Sequence, residues 1–188
     1  GDIMEALEFE KAIRYPFNRM KGMLNVLWLF IPIFGWFALF GYTVRIVNEF
    51  IDDKFEELPT IQFIDDMKLG FIMFLKMIPF ILVYMALTSG IGMISEALSI
   101  IVMLIAVFFA IPLLNMNFMR KQTVESYFEF GILKAVTENI KDYIIMILKG
   151  IALTIIFLFM AIFLVGIPAQ MFTKHIFIAD FYRRYVKK

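Results

Sequence analysis

The sequence contains no cysteine and a single histidine, His175. Without cysteine the chain cannot form disulfides, use a thiol nucleophile or build a cysteine metal site. One histidine leaves a histidine-based metal site or a histidine-rich proton relay unsupported. The formal net charge is only +1, which argues against nucleic acid as a partner. We therefore expect no metal, no other cofactor and no nucleic-acid partner.

Charged residues are also missing from four long stretches, residues 22–44, 77–95, 97–119 and 150–173. Hydrophobic residues make up 62% of the chain, well above the roughly 45–50% of soluble proteins. A helix needs about 20 apolar residues to cross the roughly 30 Å hydrocarbon core of a bilayer. The sequence therefore predicts an all-α, polytopic integral membrane bundle that forms one domain over residues 1–188.

The positions of the 18 lysines and arginines bear on topology. If the first and last apolar runs each cross the bilayer once, these residues divide evenly between its two sides. If each run instead returns to its starting side, all of them share one side. Because basic residues concentrate on the cytoplasmic side, we predict three helical hairpins with both termini cytoplasmic. The alternative is a four-crossing bundle.

Proline and glycine indicate where each hairpin turns. Proline disfavours helix at the residue before it, which predicts a break at Ile31-Pro32 and another in "VGIP", residues 165–168. The stretch "TSGIGMISE", residues 88–96, has no basic residue and reads as the middle turn. Two full crossings need about 40 residues. The first run has 23 residues, so it either extends back to Asn18 and on to Phe50 or is re-entrant.

A weak internal repeat accompanies these turns. Three times the chain reads as an acidic and aromatic lead-in, an apolar helix, a break and a second helix that ends in arginine. The units cover about residues 8–48, 63–121 and 127–185. Between hairpins, residues 128–143 are predicted to form an interfacial helix or an extension of the next membrane helix. Residues 2–14 are predicted to be helical as well.

Polar residues at membrane depth are functional candidates. Asn25, Lys76, Asn115 and Asn117 lie in or beside the apolar runs; lysine can extend to the interface, and helix–helix hydrogen bonding is the expected role of the two later asparagines. A polar stripe at helical spacing marks the last helix, and it predicts either a ligand crevice or an interfacial helix with one face in water. Its residues are Gln170, Thr173, Lys174, Asp180 and Arg184.

The connection over residues 48–66 holds seven acidic residues against one lysine. It lacks the glycine and the spacing of a calcium-binding EF-hand loop. A solvated acidic loop is the ordinary interpretation, and a docking surface for a basic partner is the alternative.

The order of these segments resembles the family of archaeal and bacterial membrane proteins catalogued as domain of unknown function 4013. The resemblance spans nearly the whole chain, although the aromatic and acidic residues usual after Leu-Pro are only partly present, as "TIQFIDD". It implies a polytopic helical protein of a prokaryotic cell membrane and brings no catalytic residues. The motifs are Tyr15-Pro16-Phe17, Ile31-Pro32-Ile33 with Gly35, Gly41-Tyr42 with Arg45, Leu58-Pro59, Asp66 with Gly70, and Phe181-Tyr182-Arg183.

No nucleophile–base pair, paired intramembrane aspartates or metal-ligand cluster is visible in the sequence, so an enzyme is not expected. Two hypotheses follow. The protein binds or transports a lipid or small amphiphile in crevices between its hairpins. Alternatively, it is a structural or accessory subunit that assembles with other membrane subunits, or with itself, through its apolar faces.

Overall fold

The computed structural model describes residues 4–187, and the described chain is built from helices. The principal helices are α1 (Phe9–Asn18), α2 (Met20–Met23), α3 (Phe34–Ile51), α4 (Phe63–Ile94), α5 (Glu96–Ile105), α6 (Ile111–Lys121), α7 (Lys134–Glu138), α8 (Ile140–Met160), α9 (Gly166–Thr173) and α10 (Ile176–Tyr185). Short 3-10 segments occupy Leu24–Phe30, Glu125–Phe128, Phe130–Leu133 and Ala161–Phe163, and a π-helical turn, Ala106–Ala110, joins α5 to α6.

Within residues 4–187, three helical stretches are long and apolar enough to cross a membrane. They are Phe63–Ile94, Glu96–Lys121 and Ile140–Phe163. Between 11% and 17% of the residues in the most apolar part of each are buried within the protein. Such exposed apolar surface is tolerated in lipid and not in water. The predicted helical membrane bundle is therefore confirmed.

The predicted break at Ile31-Pro32 is present. The 3-10 segment ends at Phe30, Ile33 takes a left-handed φ of 65°, and α3 begins one residue later. The Trp36 indole donates to the Leu29 carbonyl at 3.1 Å, so the chain folds back on itself at this point. Gly35 is required here, because a Cβ at this residue would overlap the Trp28 carbonyl oxygen.

The second reversal is sharper than predicted, because α4 continues through Gly90 and Gly92 as far as Ile94. The prediction of a turn over residues 88–96 is wrong except at Ser95, whose backbone alone is extended. Without water to bond exposed amides, a helix in lipid keeps its internal hydrogen bonds until a residue can replace them. Ser95 does so, since its hydroxyl accepts from the Leu98 amide and begins α5.

The third reversal lies at Leu164, which is left-handed at a φ of 63°, and not at Pro168. Proline is tolerated in the first turn of a helix because no intrahelical donor is needed there, and Pro168 occupies the first turn of α9. Contacts between Tyr143 and Phe181 and between Thr154 and Gln170 show that α8 runs antiparallel to α9 and α10.

Two predicted helices differ from the structure. Residues 128–143 form neither one interfacial helix nor a continuous extension of α8, since helical geometry breaks at Glu129 and at Asn139. The Asn139 side chain donates to the Ala135 carbonyl and ends α7. At the N-terminus, α1 begins at Phe9, and residues 4–8 are not helical. The earlier part of the predicted 2–14 helix, residues 2 and 3, lies outside the described residues.

The core lies at one end of the molecule, which we call the base. The base comprises α1, α3, α6, α7, α10, the first halves of α4 and α8 and the connections between them, with α3 and α10 the most buried of these helices. Three apolar tips extend from it, at the reversals near Phe30, Met93 and Phe163, which are 82%, 90% and 78% exposed. The protein therefore combines a soluble-like core with lipid-facing tips.

Candidate functional site

Most of the motif residues lie in the base, where they hold α3 against α4. A Cβ at Gly41 would overlap the Asp66 carbonyl oxygen, and one at Gly70 would overlap the Phe37 carbonyl oxygen. Small residues allow helix backbones to approach this closely. The two glycines thus explain how α3 and α4 pack with their backbones in contact.

An ion pair fixes the register of that crossing. The guanidinium of Arg45 in α3 donates to both carboxylate oxygens of Asp66 in α4, at 2.5 and 2.8 Å. Asp66 is 1% exposed, and its carboxylate also accepts a hydrogen bond from the backbone amide of Gln62. The Tyr42 hydroxyl donates to the Pro59 carbonyl at 2.7 Å, which ties down the intervening loop. These motif residues are occupied in building the fold.

The acidic connection is also tied to the base. Asp52 accepts hydrogen bonds from Arg120 and Lys187, and Asp53 pairs with Arg183 at 2.6 Å. Burial raises the pKa of the Asp52 carboxyl, but hydrogen bonds from Arg120 and Lys187 outweigh burial and lower that pKa overall. Arginine and lysine side chains of the same chain therefore neutralise much of the negative charge that a basic partner would need for binding.

The five residues of the predicted stripe do not line a single crevice. A kink at Lys174 and His175 divides the helix into α9 and α10. Gln170 donates to the Thr154 hydroxyl at 3.0 Å, and the Thr173 hydroxyl bonds the Ala169 carbonyl of its own helix. Asp180 accepts from two arginines, Arg183 and Arg184, in the base. Of the five, Lys174 alone lines an apolar-walled cavity of the membrane-facing helices.

That cavity is a crevice of about 380 Å³ between the π-helical turn, α6, α8 and the α9–α10 kink. Binding pockets for small molecules are typically about 300–1,000 Å³. Its rim includes Val107 and Phe108, each about half exposed on the lipid-facing flank. The lining residues are Val107, Phe108, Ile111, Pro112, Asn115, Tyr143, Met146, Ile147, Lys174, His175 and Ile178. The walls are thus apolar, with a few polar groups converging on them.

Proline chemistry shapes one wall of the crevice. Pro112 has no amide hydrogen, so the Phe108 carbonyl four residues earlier loses its helical donor. The Tyr143 hydroxyl from α8 replaces it at 2.8 Å. The π-helical turn Ala106–Ala110 lies directly before α6, whose second residue is Pro112. Such bulges occur frequently at functional sites, and here the bulge faces the crevice.

Lys174 is the charged group of the crevice. It lies between the Thr154–Gln170 and Lys149–Phe177 contacts, at the level of the apolar α8 span. Its amine forms no ion pair within residues 4–187. Charges at such depth are costly and mark functional positions.

The other candidate polar residues serve in packing. Asn117 donates to the Ser126 carbonyl and accepts from the Tyr182 hydroxyl of α10. Lys76 donates to the carbonyl of Gln122, the residue that ends α6. Asn25 is half-buried in the first 3-10 segment.

Asn115 lines the crevice and also takes part in packing, because its side-chain oxygen accepts a hydrogen bond from the Tyr127 hydroxyl at 2.6 Å. Burial raises the pKa of Tyr127 above its ordinary value. Among the described residues, no group of three or more histidines or carboxylates is arranged to hold a metal.

The model of the family described as "Protein of unknown function (DUF4013)" matches residues 24–166. The chain belongs to the DUF4013 family. No curated protein and no solved structure matches this DUF4013 chain. The match includes the α3–α4 crossing, the π-helical turn and α8 and ends at the first residue of α9, so Lys174 lies beyond it.

Sequence reasoning missed the role of Tyr143 and the π-helical turn. The signal was present: Pro112 interrupts an apolar run and frees the Phe108 carbonyl, and a freed carbonyl in lipid needs a donor from a neighbouring helix. Nothing in the sequence indicates which helix supplies that donor, because Tyr143 is 35 residues from Phe108.

Proposed function

We propose that this DUF4013 protein is a non-enzymatic integral membrane protein that binds or transports a lipid or small amphiphile in the Lys174 crevice. The observation that carries the proposal is the position of Lys174, an amine without an ion-pair partner among the described residues, which lines an apolar-walled cavity at the level of the apolar α8 span. An amphiphile matches this arrangement because it has a polar head and an apolar chain.

The proposed topology is three hairpins that enter the bilayer from one cytoplasmic, basic face of a prokaryotic cell membrane, with both termini on that face. Support comes from the three reversals and from the concentration of ion pairs in the base. The first hairpin is proposed to be re-entrant. Its inbound limb, Met20–Met23 and Leu24–Phe30, has 11 residues. At helical rises of 1.5 and 2.0 Å per residue it spans about 20 Å, short of a 30 Å core.

Because the chain has no native cysteine, single cysteines can report this topology. Cysteine at Phe30, Met93 or Phe163 should resist a membrane-impermeant reagent applied from the cytoplasmic side. Cysteine at Glu57, Glu138 or Lys141, which are exposed in the base, should react. Equal reaction of both sets, or reaction of Glu57 and Lys141 from opposite sides, would contradict the three hairpins.

The binding function is tested by blocking the crevice. Val107 on the rim is 45% exposed, so tryptophan there can reach across the opening without overpacking a core. Met103 lies one turn earlier, is 41% exposed and does not line the crevice. We expect native mass spectrometry of the protein released from nanodiscs of bacterial lipid to show bound lipid for wild type and Met103→Trp. Val107→Trp should lose that lipid.

The outcome also separates the alternative function. The alternative predicts that wild-type protein released from nanodiscs carries no lipid, that Val107→Trp and Met103→Trp give the same result, and that other membrane subunits co-purify stably. With that outcome the protein is a structural or accessory subunit and the binding proposal is wrong.

A further inference from the structure

The crevice has a one-sided charge pattern. Among its described lining residues there is no aspartate and no glutamate, whereas Lys174 supplies an ammonium group. Several basic residues of the base have carboxylate partners, as Arg120 does with Asp52 and Arg184 does with Asp142, whereas Lys76 donates to a main-chain carbonyl. An ammonium at membrane depth is costly without a counter-charge. The absence of a counter-charge among these residues therefore indicates that the ligand carries the negative charge.

Apart from the His175 imidazole, which offers one donor and one acceptor when neutral, the free side-chain polar atoms of the lining are donors. The Tyr143 hydroxyl already donates to the Phe108 carbonyl, and the Asn115 side-chain oxygen already accepts the Tyr127 hydroxyl. The side-chain amide of Asn115 is left to donate into the crevice, alongside the Lys174 ammonium. Two donors of this kind suit a carboxylate or phosphate oxygen, which accepts strong charge-assisted hydrogen bonds.

We propose that the crevice selects amphiphiles with an anionic headgroup, a carboxylate or a phosphate, bound by Nζ of Lys174 and Nδ2 of Asn115. The acyl chain lies against Val107, Phe108 and Ile147 and leaves through the lipid-facing rim. This inference rests on the proposed function, since it specifies which amphiphile the same crevice binds.

Headgroup selectivity is tested with ligands of one chain length: laurate, lauryl phosphate, lauryl alcohol and lauryltrimethylammonium, together with inorganic phosphate. Dissociation constants are measured for wild-type protein in nanodiscs. Laurate and lauryl phosphate should bind about tenfold or more tightly than lauryl alcohol, the factor expected from one charge-assisted hydrogen bond. Lauryltrimethylammonium should bind most weakly. Inorganic phosphate should bind far more weakly than lauryl phosphate, because it has no chain.

Three variants assign the selectivity to named groups. Lys174→Gln should bring laurate to the affinity of lauryl alcohol and leave lauryl alcohol unchanged, whereas Lys174→Arg should retain the preference for laurate. Asn115→Asp preserves the shape and the acceptor for Tyr127 but adds a negative charge. It should reduce laurate affinity and spare lauryl alcohol. Because Lys174 is exposed, its two replacements leave the core intact.

The results distinguish the two proposals. If lauryl alcohol binds wild type as tightly as laurate, and Val107→Trp abolishes both, the crevice binds amphiphiles and the anionic inference is wrong. If inorganic phosphate binds as tightly as lauryl phosphate, the site is for a free anion and the amphiphile part is wrong. If no lauryl compound binds in a manner sensitive to Val107→Trp, the proposed function itself fails.

Discussion

The two halves of α4 behave as if they belonged to different proteins. Up to about Lys76 the helix packs in the base, with Asp66, Gly70 and Met73 buried. Beyond that point most of its side chains are exposed or half-buried, and Met93 is 90% exposed. The first half is held by backbone contact and an ion pair, and the second by a few contacts, such as the stacking of Phe80 on Tyr127, and by its apolar character. One continuous helix therefore changes its stabilising interactions at the boundary of the base.

This difference separates the residues that specify the architecture from those that only need to be apolar. Gly41, Arg45, Asp66 and Gly70 each have a unique geometric task, so substitution should be costly. An outward-facing residue of the tip meets lipid, where one large apolar side chain serves about as well as another. The motif residues of the family lie mainly in the first group, which is why they indicate a fold and not a reaction.

The largest expected effect tests this contrast within α4. Alanine at Gly70 places a methyl group on the Phe37 carbonyl, and backbone rather than a flexible side chain must move. We expect Gly70→Ala to lower the free energy of unfolding by about 3 kcal/mol or more. At Gly90 nothing lies within 4 Å of an added Cβ. Gly90→Ala should change stability by between zero and a gain of about 1 kcal/mol.

Reversible unfolding in mixed detergent micelles measures both variants. Equal losses for Gly70→Ala and Gly90→Ala would show that α3 and α4 do not cross closely at the base, and the contrast between the two halves would break.

A somewhat smaller effect is expected from the ion pair. Asp66→Asn removes the charge that Arg45 contacts with two hydrogen bonds, and Arg45 is only partly exposed, with 27% of its side chain accessible. Breaking a fully buried pair costs about 3–5 kcal/mol, so we expect about 2 kcal/mol here. Asp65→Asn alters an exposed neighbour and should cost close to nothing. Thermal unfolding of both variants in the same detergent provides the comparison.

The sequence predicted the apolar helices better than the base, and it located the reversals only approximately. Apolar runs located the cores of α4, α5–α6 and α8, and Pro32 located the first break, because hydropathy and proline act locally. The start of α4 at Phe63 was hard to predict because "FIDDMKLGF" carries charges. Those charges are acceptable only where Arg45 and other residues of the base can interact with them. The kink at His175 and the Lys174 crevice depend on α8 and the π-helical turn, which are distant in sequence.

The boundary between base and tips can be tested at Tyr143. Removing its hydroxyl leaves the Phe108 carbonyl without the donor that Pro112 cannot supply. We expect Tyr143→Phe to lower the free energy of unfolding by about 1 kcal/mol, the ordinary cost of one hydrogen bond. The control is Tyr84→Phe, since the Tyr84 hydroxyl forms no hydrogen bond within residues 4–187. If both variants lose the same stability, Tyr143 does not hold the π-helical turn.

The smallest expected effect concerns pH and lies on the exposed surface of the base. Hydrogen bonds from Lys121 and Asn117 lower the pKa of the Glu129 carboxyl. A carboxyl whose pKa is lowered on folding stabilises the protein above its unfolded pKa of about 4.3. That stabilisation disappears as pH falls from this value through the lower folded pKa. Because solvent screens the pair, this stabilisation is expected to be about a few tenths of a kcal/mol.

Between pH 7 and strongly acidic pH, the melting temperature of wild type should therefore fall slightly more than that of Glu129→Gln. The difference should be confined to the window at and below the ordinary carboxyl pKa, where the protonation of Glu129 differs between the folded and unfolded states. Identical pH profiles would show that Glu129 is as loosely held as the outward-facing residues of the tips. The outermost ordered contact in this part of the base would then be the buried hydrogen bond between Asn117 and Tyr182, neither of which titrates at acidic pH.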